Sequence, residues 1–306
     1  MAGYFLMTND VETLSLNGEA CDDIGVKVWK EALPALLDLY EKYNVKATFY
    51  FVADFARQYP EIVKMVQPAG HEVACHGLIH DYSHAFDVMN LDEQIRDLLE
   101  AKKILEDIAG EEVISFRAPA LRVNSDTPKA LQTVGFKIDS SVAPQRLDIF
   151  MSLGSKNKLQ WLRAPRICYE ANINNLARKG NTGIFEVPVS SFALPYIGTL
   201  MRISSFWINL VRYFVYLETK NTQKAVNFLF HPSEMVAETE EQMQITKRAS
   251  NYVQYLFADV FRSKLKKRNI GISALPLIER ELIFFIKRNY QFLTTKDYVN
   301  KTQCKI

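Results

Sequence analysis

The feature that most limits how this chain can fold is an alternation: short runs rich in β-branched and aromatic residues are followed, almost from the N-terminus, by longer stretches with helical spacing. Segments 4–8, 47–52, 70–75, 113–116, 136–138, 184–189, 226–230 and 291–293 read as strands, and 28–43, 55–67, 91–109, 127–134, about 240–268 and 276–288 read as helices. The sharpest of these is 91–109, where Asn90 and Glu93 have capping-box spacing and Gly110 stands where a C-terminal glycine belongs. Strands that alternate with helices make a parallel sheet wrapped by crossover helices. No linker or internal repeat interrupts the series. The expectation is therefore an α/β barrel of seven or eight units, with residues 1–306 forming one domain.

Several of these strands end in a polar residue of chemical promise: Asp10, His76, Arg117, Asp139 and His231. In a barrel of parallel strands the C-terminal ends meet at one rim, where enzymes of this architecture carry their chemistry. Loops following strands explain one or two polar ends, but five of these types call for a shared pocket.

Composition narrows the function by exclusion. With 48% apolar and 24% charged residues the chain is that of a soluble globular protein, and a net charge of +2 offers no footprint for nucleic acid. The local basic run Lys264, Lys266, Lys267, Arg268 reads as a solvated helix end. Cys21, Cys75, Cys168 and Cys304 are far apart and form no CxxC pair, which argues against a cysteine metal site or a disulfide framework and makes a reducing compartment the default. Candidate chemistry starting at Asp10 leaves no room for a cleaved leader, and no apolar stretch reaches membrane-spanning length, so a cytoplasmic protein is expected.

His76 and His80, four residues apart in His76-Gly77-Leu78-Ile79-His80, can reach one cation if the chain turns after the strand. The spacing alone is only moderately specific, since histidines also serve in cores and on surfaces. A catalytic site of the zinc type needs a third protein ligand. Asp10 and Glu12 are the candidates, because residues two apart on a strand point the same way. One would bind the cation and the other accept a proton nearby. Asp22-Asp23, further along the same loop, reads as a solvated acidic turn.

Taken in order, these motifs resemble the polysaccharide deacetylases of the NodB-homology type, carbohydrate esterase family four, over residues 4 to about 232. Thr8-Asn9-Asp10-Val11-Glu12 is similar to the variant first motif Asp-x-Glu, and His76 to His80 to the second motif, with Gly70-His71-Glu72-Val73 as its lead-in. Gly77 departs from the family's hydroxyl residue. Arg117-Ala118-Pro119-Ala120-Leu121-Arg122-Val123-Asn124 keeps the arginine, proline and asparagine of the third motif but not its tyrosine and glycine. Asp139-Ser140-Ser141 resembles the fourth motif, without its tryptophan, and Leu229-Phe230-His231 the fifth.

The resemblance implies a distorted (β/α)7 barrel whose motif-bearing core is 4–232, with the last helices and strand in 233–306. It implies a divalent metal, zinc first and cobalt, nickel or manganese as alternatives, held by Glu12, His76 and His80. Asp10 is then the base fixed by Arg117, and His231 the acid oriented by Asp139. A backbone N–H near Ala120 is placed at the developing oxyanion, and Asn124 on the substrate side. The reaction implied is removal of an acetyl or other acyl group from an N-acylated sugar, polysaccharide or lipid-linked precursor. Deformylation, hydrolysis of a cyclic amide and a non-catalytic carbohydrate-binding barrel are the alternatives. The residues bear one further expectation. Segment 194–217 is unusually aromatic, and Tyr196 and Trp207 could line the groove or touch the inner face of a membrane, although a helix packed on the barrel is the plainer reading. His71 reads as structural and His84 as a loop residue beside the substrate.

Overall fold

The computed structural model describes residues 3–14, 21–81, 83–146, 159–239, 265 and 267–302. In chain order its strands are β1 (Tyr4–Val11), β2 (Ala47–Phe51), β3 (Glu72–Cys75), β4 (Ser115–Phe116), β5 (Ile138–Asp139), β6 (Tyr169–Asn172), β7 (Asn175–Lys179), β8 (Phe185–Glu186), β9 (Ser191–Phe192), β10 (Leu194–Pro195), β11 (Ala225–Phe230) and β12 (Gln291–Phe292). Its α-helices are α1 (Asp22–Lys27), α2 (Leu33–Lys42), α3 (Ala53–Gln58), α4 (Glu61–Val66), α5 (Leu91–Ala109), α6 (Thr127–Val134), α7 (Gly198–Ile203), α8 (Ser205–Thr219), α9 (Leu275–Ile286) and α10 (Thr295–Thr302). The helix expected over about 240–268 lies almost wholly outside the described residues, as do Lys264, Lys266 and Cys304.

Strands β11, β1, β2, β3, β4, β5 and β8 run side by side and parallel, the seven-unit version of the expected barrel. Beyond β8 the series closes on β11 without a ladder. Ser190 N–H donates to the Asn227 carbonyl at 2.9 Å, Asn227 N–H donates back to Ser190 Oγ at 2.9 Å, and a bridge joins Ile197 to Leu229. This loose seam is the distortion. An antiparallel hairpin, β6 and β7, is added to the outer side of β8, and β12 pairs with the start of β1.

Alternation along β1 explains how one strand serves two layers. Phe5 and Met7 join the large core between sheet and helices, and Asn9 also turns outward, accepting from the Tyr40 hydroxyl of α2 at 2.9 Å. Leu6, Thr8 and Asp10 face the barrel interior. At its lower end Leu6 packs with Ile138, Val187, Tyr298 and Val299, so α10 closes the bottom. Higher up the lining becomes polar, with Thr8 Oγ1 donating to the Phe228 carbonyl at 2.9 Å and lying 3.1 Å from Asn227 Oδ1.

The helices follow their sequence signals closely in one case. In α5, Asn90 Oδ1 accepts from Glu93 N–H and Glu93 reaches back to Asn90 N–H, and Gly110 ends the helix at φ 70°. Segment 55–67 is instead two short helices, broken at Tyr59-Pro60, because proline cannot continue the first. Cys21 and Cys75 form no disulfide, but Cys168 is disulfide-bonded, which corrects the expectation of unpaired cysteines at that residue.

Candidate metal centre and acid–base pair

Both carboxylates of the first motif point into the barrel mouth from β1 and the residue just beyond it, and both are buried. His76 follows β3 directly. Its Nδ1 lies 2.8 Å from the Arg117 carbonyl, which only accepts, so the proton sits on Nδ1 and the Nε2 lone pair faces the pocket. Glu12 Oε2 lies 3.2 Å from His80 Nε2 and 3.7 Å from His76 Nε2. One ligand atom from each of Glu12, His76 and His80 falls within a mutual distance of 4.8 Å.

These atoms suit a cation. Glu12 Oε2 and His76 Nε2 are buried without a hydrogen-bond partner, two electron-rich atoms aimed at one point. Burial raises the Glu12 carboxyl, but His80, His231 and His76 outweigh it and bring the group to about 2. Burial lowers His80, with Glu12 opposing, so its ring tends towards the neutral, ligating form.

Gly77 explains the departure in the second motif. Its φ is +80°, and a Cβ there would lie 3.2 Å from Pro119 Cγ and 3.4 Å from Phe86. The ligand loop is thus braced by the third-motif turn packed against the bare glycine, where a side chain would be strained by the positive φ and tightly packed.

Arg117 lies wholly buried above the Tyr50 ring, 4.2 Å from its centre. Its Nη1 donates to Asp10 Oδ1 at 2.7 Å and Thr8 Oγ1 at 3.0 Å, while Nε and Nη2 donate to the carbonyl and hydroxyl of Ser140. Asp10 is left with Oδ2, 3.8 Å from His76 Nε2 and 3.9 Å from His231 Nε2. The two carboxylates are therefore unlike: Asp10 is committed to Arg117, and Glu12 to the histidines.

His231 follows β11, with its Nε2 also 3.9 Å from Glu12 Oε1. The orienting partner expected for it was Asp139, and the structure corrects this. Asp139 Oδ1 accepts from Ser141 Oγ at 2.7 Å, and its neighbour across the ladder is the buried Glu186. Glu234 takes the place beside His231, with Oε1 3.2 Å from Nδ1. It in turn accepts from Thr199 Oγ1 at 2.5 Å and Arg202 Nε at 2.6 Å, both carried by α7. Burial lowers His231, but the charges of Glu12 and Glu234 outweigh it and raise the ring to about 9. The sequence signal for Glu234 was present but unread: an acidic residue one turn past His231-Pro232, and an arginine within the short α7.

The remaining site candidates separate. Ala120 is exposed in the Pro119–Leu121 turn at φ 52°. Asn124 serves the loop, with Nδ2 donating to the Met89 carbonyl and Oδ1 accepting from Gln94 and Asp126 N–H. Tyr196 is fully buried against Phe228 and donates to Glu281 Oε2 at 2.5 Å, so it belongs to the core instead of the groove. Trp207 is 47% exposed on the outer face of α8, beside Phe206. His71 is structural as read, accepting from Ala47 N–H through Nδ1. His84 is bound to the buried Asp97 at 2.6 Å.

Residues 21–138 match the family model described as polysaccharide deacetylase. Over 124 residues the chain is 32% identical to a peptidoglycan deacetylase of Helicobacter pylori, covering 40% of this chain and 41% of that one. Over 105 residues it is 30% identical to a peptidoglycan-N-acetylglucosamine deacetylase of Bacillus cereus, covering 34% of this chain and 47% of the other. The chain thus spans less than half the length of these relatives. A Mycobacterium smegmatis structure assigned to the polysaccharide deacetylases aligns with a TM-score of 0.63 at 16% identity, covering 99% of this chain and 91% of that one. An allantoinase aligns equally well, with a TM-score of 0.63 at 14% identity over the same shares, and at such identities the likeness concerns the fold alone. Residues 21–138 are thus similar in sequence to the polysaccharide deacetylases, and nearly the whole chain has a fold like that of the Mycobacterium smegmatis structure.

Proposed function

We propose that this protein is a metal-dependent amide hydrolase that removes the acyl group, acetyl first, from an N-acylated sugar in an oligosaccharide, polysaccharide or lipid-linked precursor. The observation that carries the reading is the convergence of Glu12, His76 and His80 on one point, with Asp10 and His231 beside it. The acyl group is taken from what the related deacetylases are named for.

A divalent cation held by Glu12, His76 and His80, zinc by its donor set, supplies an acidified water and a polarised carbonyl. Asp10 takes a proton on Oδ2, because Arg117 holds the other oxygen and fixes the carboxylate in the pocket. His231 gives a proton from Nε2 to the departing nitrogen, with Nδ1 anchored on Glu234. Ala120, in the turn that packs on the ligand loop, is the backbone position we assign to the substrate oxygen.

The lipid-linked form of the substrate is supported by α8. Its inner face buries Ile208, Val211 and Val215, while Phe206, Trp207, Tyr213 and Leu217 are exposed. A helix with aromatics on its free side suits a bilayer interface. Among the described residues no helix is long and apolar enough to cross a membrane. Sedimentation with anionic liposomes tests this part: binding by the wild-type chain lost in F206A/W207A supports it, and no binding by the wild type removes it.

The reaction is tested by loading the full chain with zinc and measuring acyl release from N-acetylated chitooligosaccharides and peptidoglycan fragments, with N-formyl sugars and a cyclic amide alongside. Acetate release from the sugars is expected. Formate release or ring opening alone would move the reading to the alternative amides, and a metal-loaded protein inert on all of them would end it.

A further inference from the structure

Directly beneath Arg117 two more acids meet. Asp139 ends β5 and Glu186 ends β8, and they are register partners on adjacent parallel strands, so their side chains stand side by side. Both are entirely buried. At that register the two buried carboxyls face each other, and two carboxylates have no donor between them, so a hydrogen bond across the contact needs one proton. The surrounding bonds show which oxygen carries it. Asp139 Oδ1 accepts from Ser141 Oγ at 2.7 Å and Oδ2 from Ser141 N–H at 3.3 Å, both favouring a carboxylate. Glu186 Oε1 accepts from Val142 N–H at 3.1 Å, while Oε2 accepts from no donor.

The pair is tied to the site through one short chain. Ser141 Oγ, which donates to Asp139, accepts from Ala118 N–H at 2.9 Å. Ala118 lies between Arg117 and the Pro119–Leu121 turn, whose Ala120 and Leu121 both take positive φ. Arg117 is also the cation that the charges of both acids feel.

We propose that Glu186 is a neutral carboxylic acid donating to the Asp139 carboxylate, and that this one-proton pair is the positioning unit of the Arg117–Leu121 turn. It keeps a single negative charge under Arg117, so the guanidinium stays on Asp10, and it pins the turn through Ser141. If both acids were charged, the pair would compete with Asp10 for Arg117. The other groups packed against the pair are Arg117, just after β4, and Tyr169 from β6, whose hydroxyl is committed to the Leu176 carbonyl at 2.6 Å.

The kinetic part rests on the proposed hydrolase reading, so the first measurement is made without substrate. Infrared difference spectra of wild type against E186Q at neutral pH are expected to show a protonated-carboxyl band in the wild type that E186Q lacks. Glutamine donates where the acid did, so E186Q should fold and hold kcat/KM within about threefold of wild type. The double variant D139N/E186Q, which removes the charge, should lower kcat at least tenfold with KM little changed. Absence of the band, an unfolded or inactive E186Q, or a double variant as active as wild type would each overturn the proposal. A wild type inert on every substrate, with the band present, would sink the hydrolase reading and leave the shared proton standing.

Discussion

Glu234 Oε1 lies 3.2 Å from His231 Nδ1 and also accepts from Thr199 Oγ1, while Oε2 of the same carboxylate is held by Arg202, both donors coming from α7. Two of the molecule's buried charges, Arg202 and Glu234, are thus spent on fixing one imidazole. Such an arrangement matters only if the direction of His231 Nε2 matters.

That gives the first prediction. If His231 serves as acid through this anchor, E234Q should slow release of a poor leaving group far more than a good one. Hydrolysis of an N-acetyl sugar should fall by about 10²-fold, in the range of a general acid, while cleavage of an activated acetate ester stays within a few-fold. Equal losses on both substrates would assign Glu234 to structure alone.

A second prediction separates the two first-motif acids. Glu12 Oε2 is an orphaned buried atom beside two histidines, whereas Asp10 Oδ1 is taken by Arg117. Alanine at Glu12, His76 or His80 should abolish tight metal uptake in elemental analysis. Asn at Asp10 and Ala at His231 should leave uptake intact and stop turnover. Wild-type metal content in H76A would remove the site.

A third concerns Gly77. Its φ of +80° and the Pro119 Cγ 3.2 Å from a Cβ leave alanine both strained and crowded. G77A should lose about 1–3 kcal/mol in denaturant unfolding, and metal affinity should weaken about tenfold because His76 moves with the loop. Unchanged stability would mean that the loop relaxes freely.

How much of this was legible beforehand depended on where the information lay. Helix α5 was readable to the residue because its caps are local: Asn90, Glu93 and Gly110 act through their own backbone. The rim was readable because parallel strands force their ends together, whatever the distance in sequence. The orienting partner of His231 was not. Asp139 and Glu234 both follow the motif logic, and only the depth of Asp139 within the barrel, against Glu186, decides between them. The hairpin β6–β7 was missed because Tyr169–Asn172 and Asn175–Lys179 lack a clean apolar alternation. Tyr196 misled for the opposite reason. An aromatic residue before the last catalytic strand suggests a groove, and nothing local shows that Glu281, 85 positions on, waits for its hydroxyl.

Acid stability supplies a fourth prediction. His71 is buried beside Tyr40 and Phe49 and accepts a backbone hydrogen bond, so burial, with Lys46 adding, lowers its ring from 6.5 to about 4. The unfolded chain then binds this proton first as pH falls. Stability contributed by the neutral ring is complete above pH 6.5 and is lost progressively down to about pH 4, a loss of roughly 3 kcal/mol at about 1.4 kcal/mol per pH unit. In urea titrations across that window, wild type should lose more stability than H71Q, which keeps an acceptor but cannot titrate. Parallel curves would contradict the assignment.

The last prediction tests whether Tyr196 touches substrate. Its hydroxyl and Arg212 Nη1 each occupy one oxygen of the buried Glu281, at 2.5 and 3.0 Å. Burial raises the Glu281 carboxyl, so every donor it keeps counts towards holding it in the core. Phenylalanine retains the packing on Phe228 but withdraws one donor from that carboxyl. Y196F should therefore lose about 1–3 kcal/mol of stability, the cost of stranding a buried acceptor, while KM for any N-acyl sugar stays unchanged. A raised KM with unaltered stability would return Tyr196 to the substrate groove and require the β10–α7 segment to open during turnover.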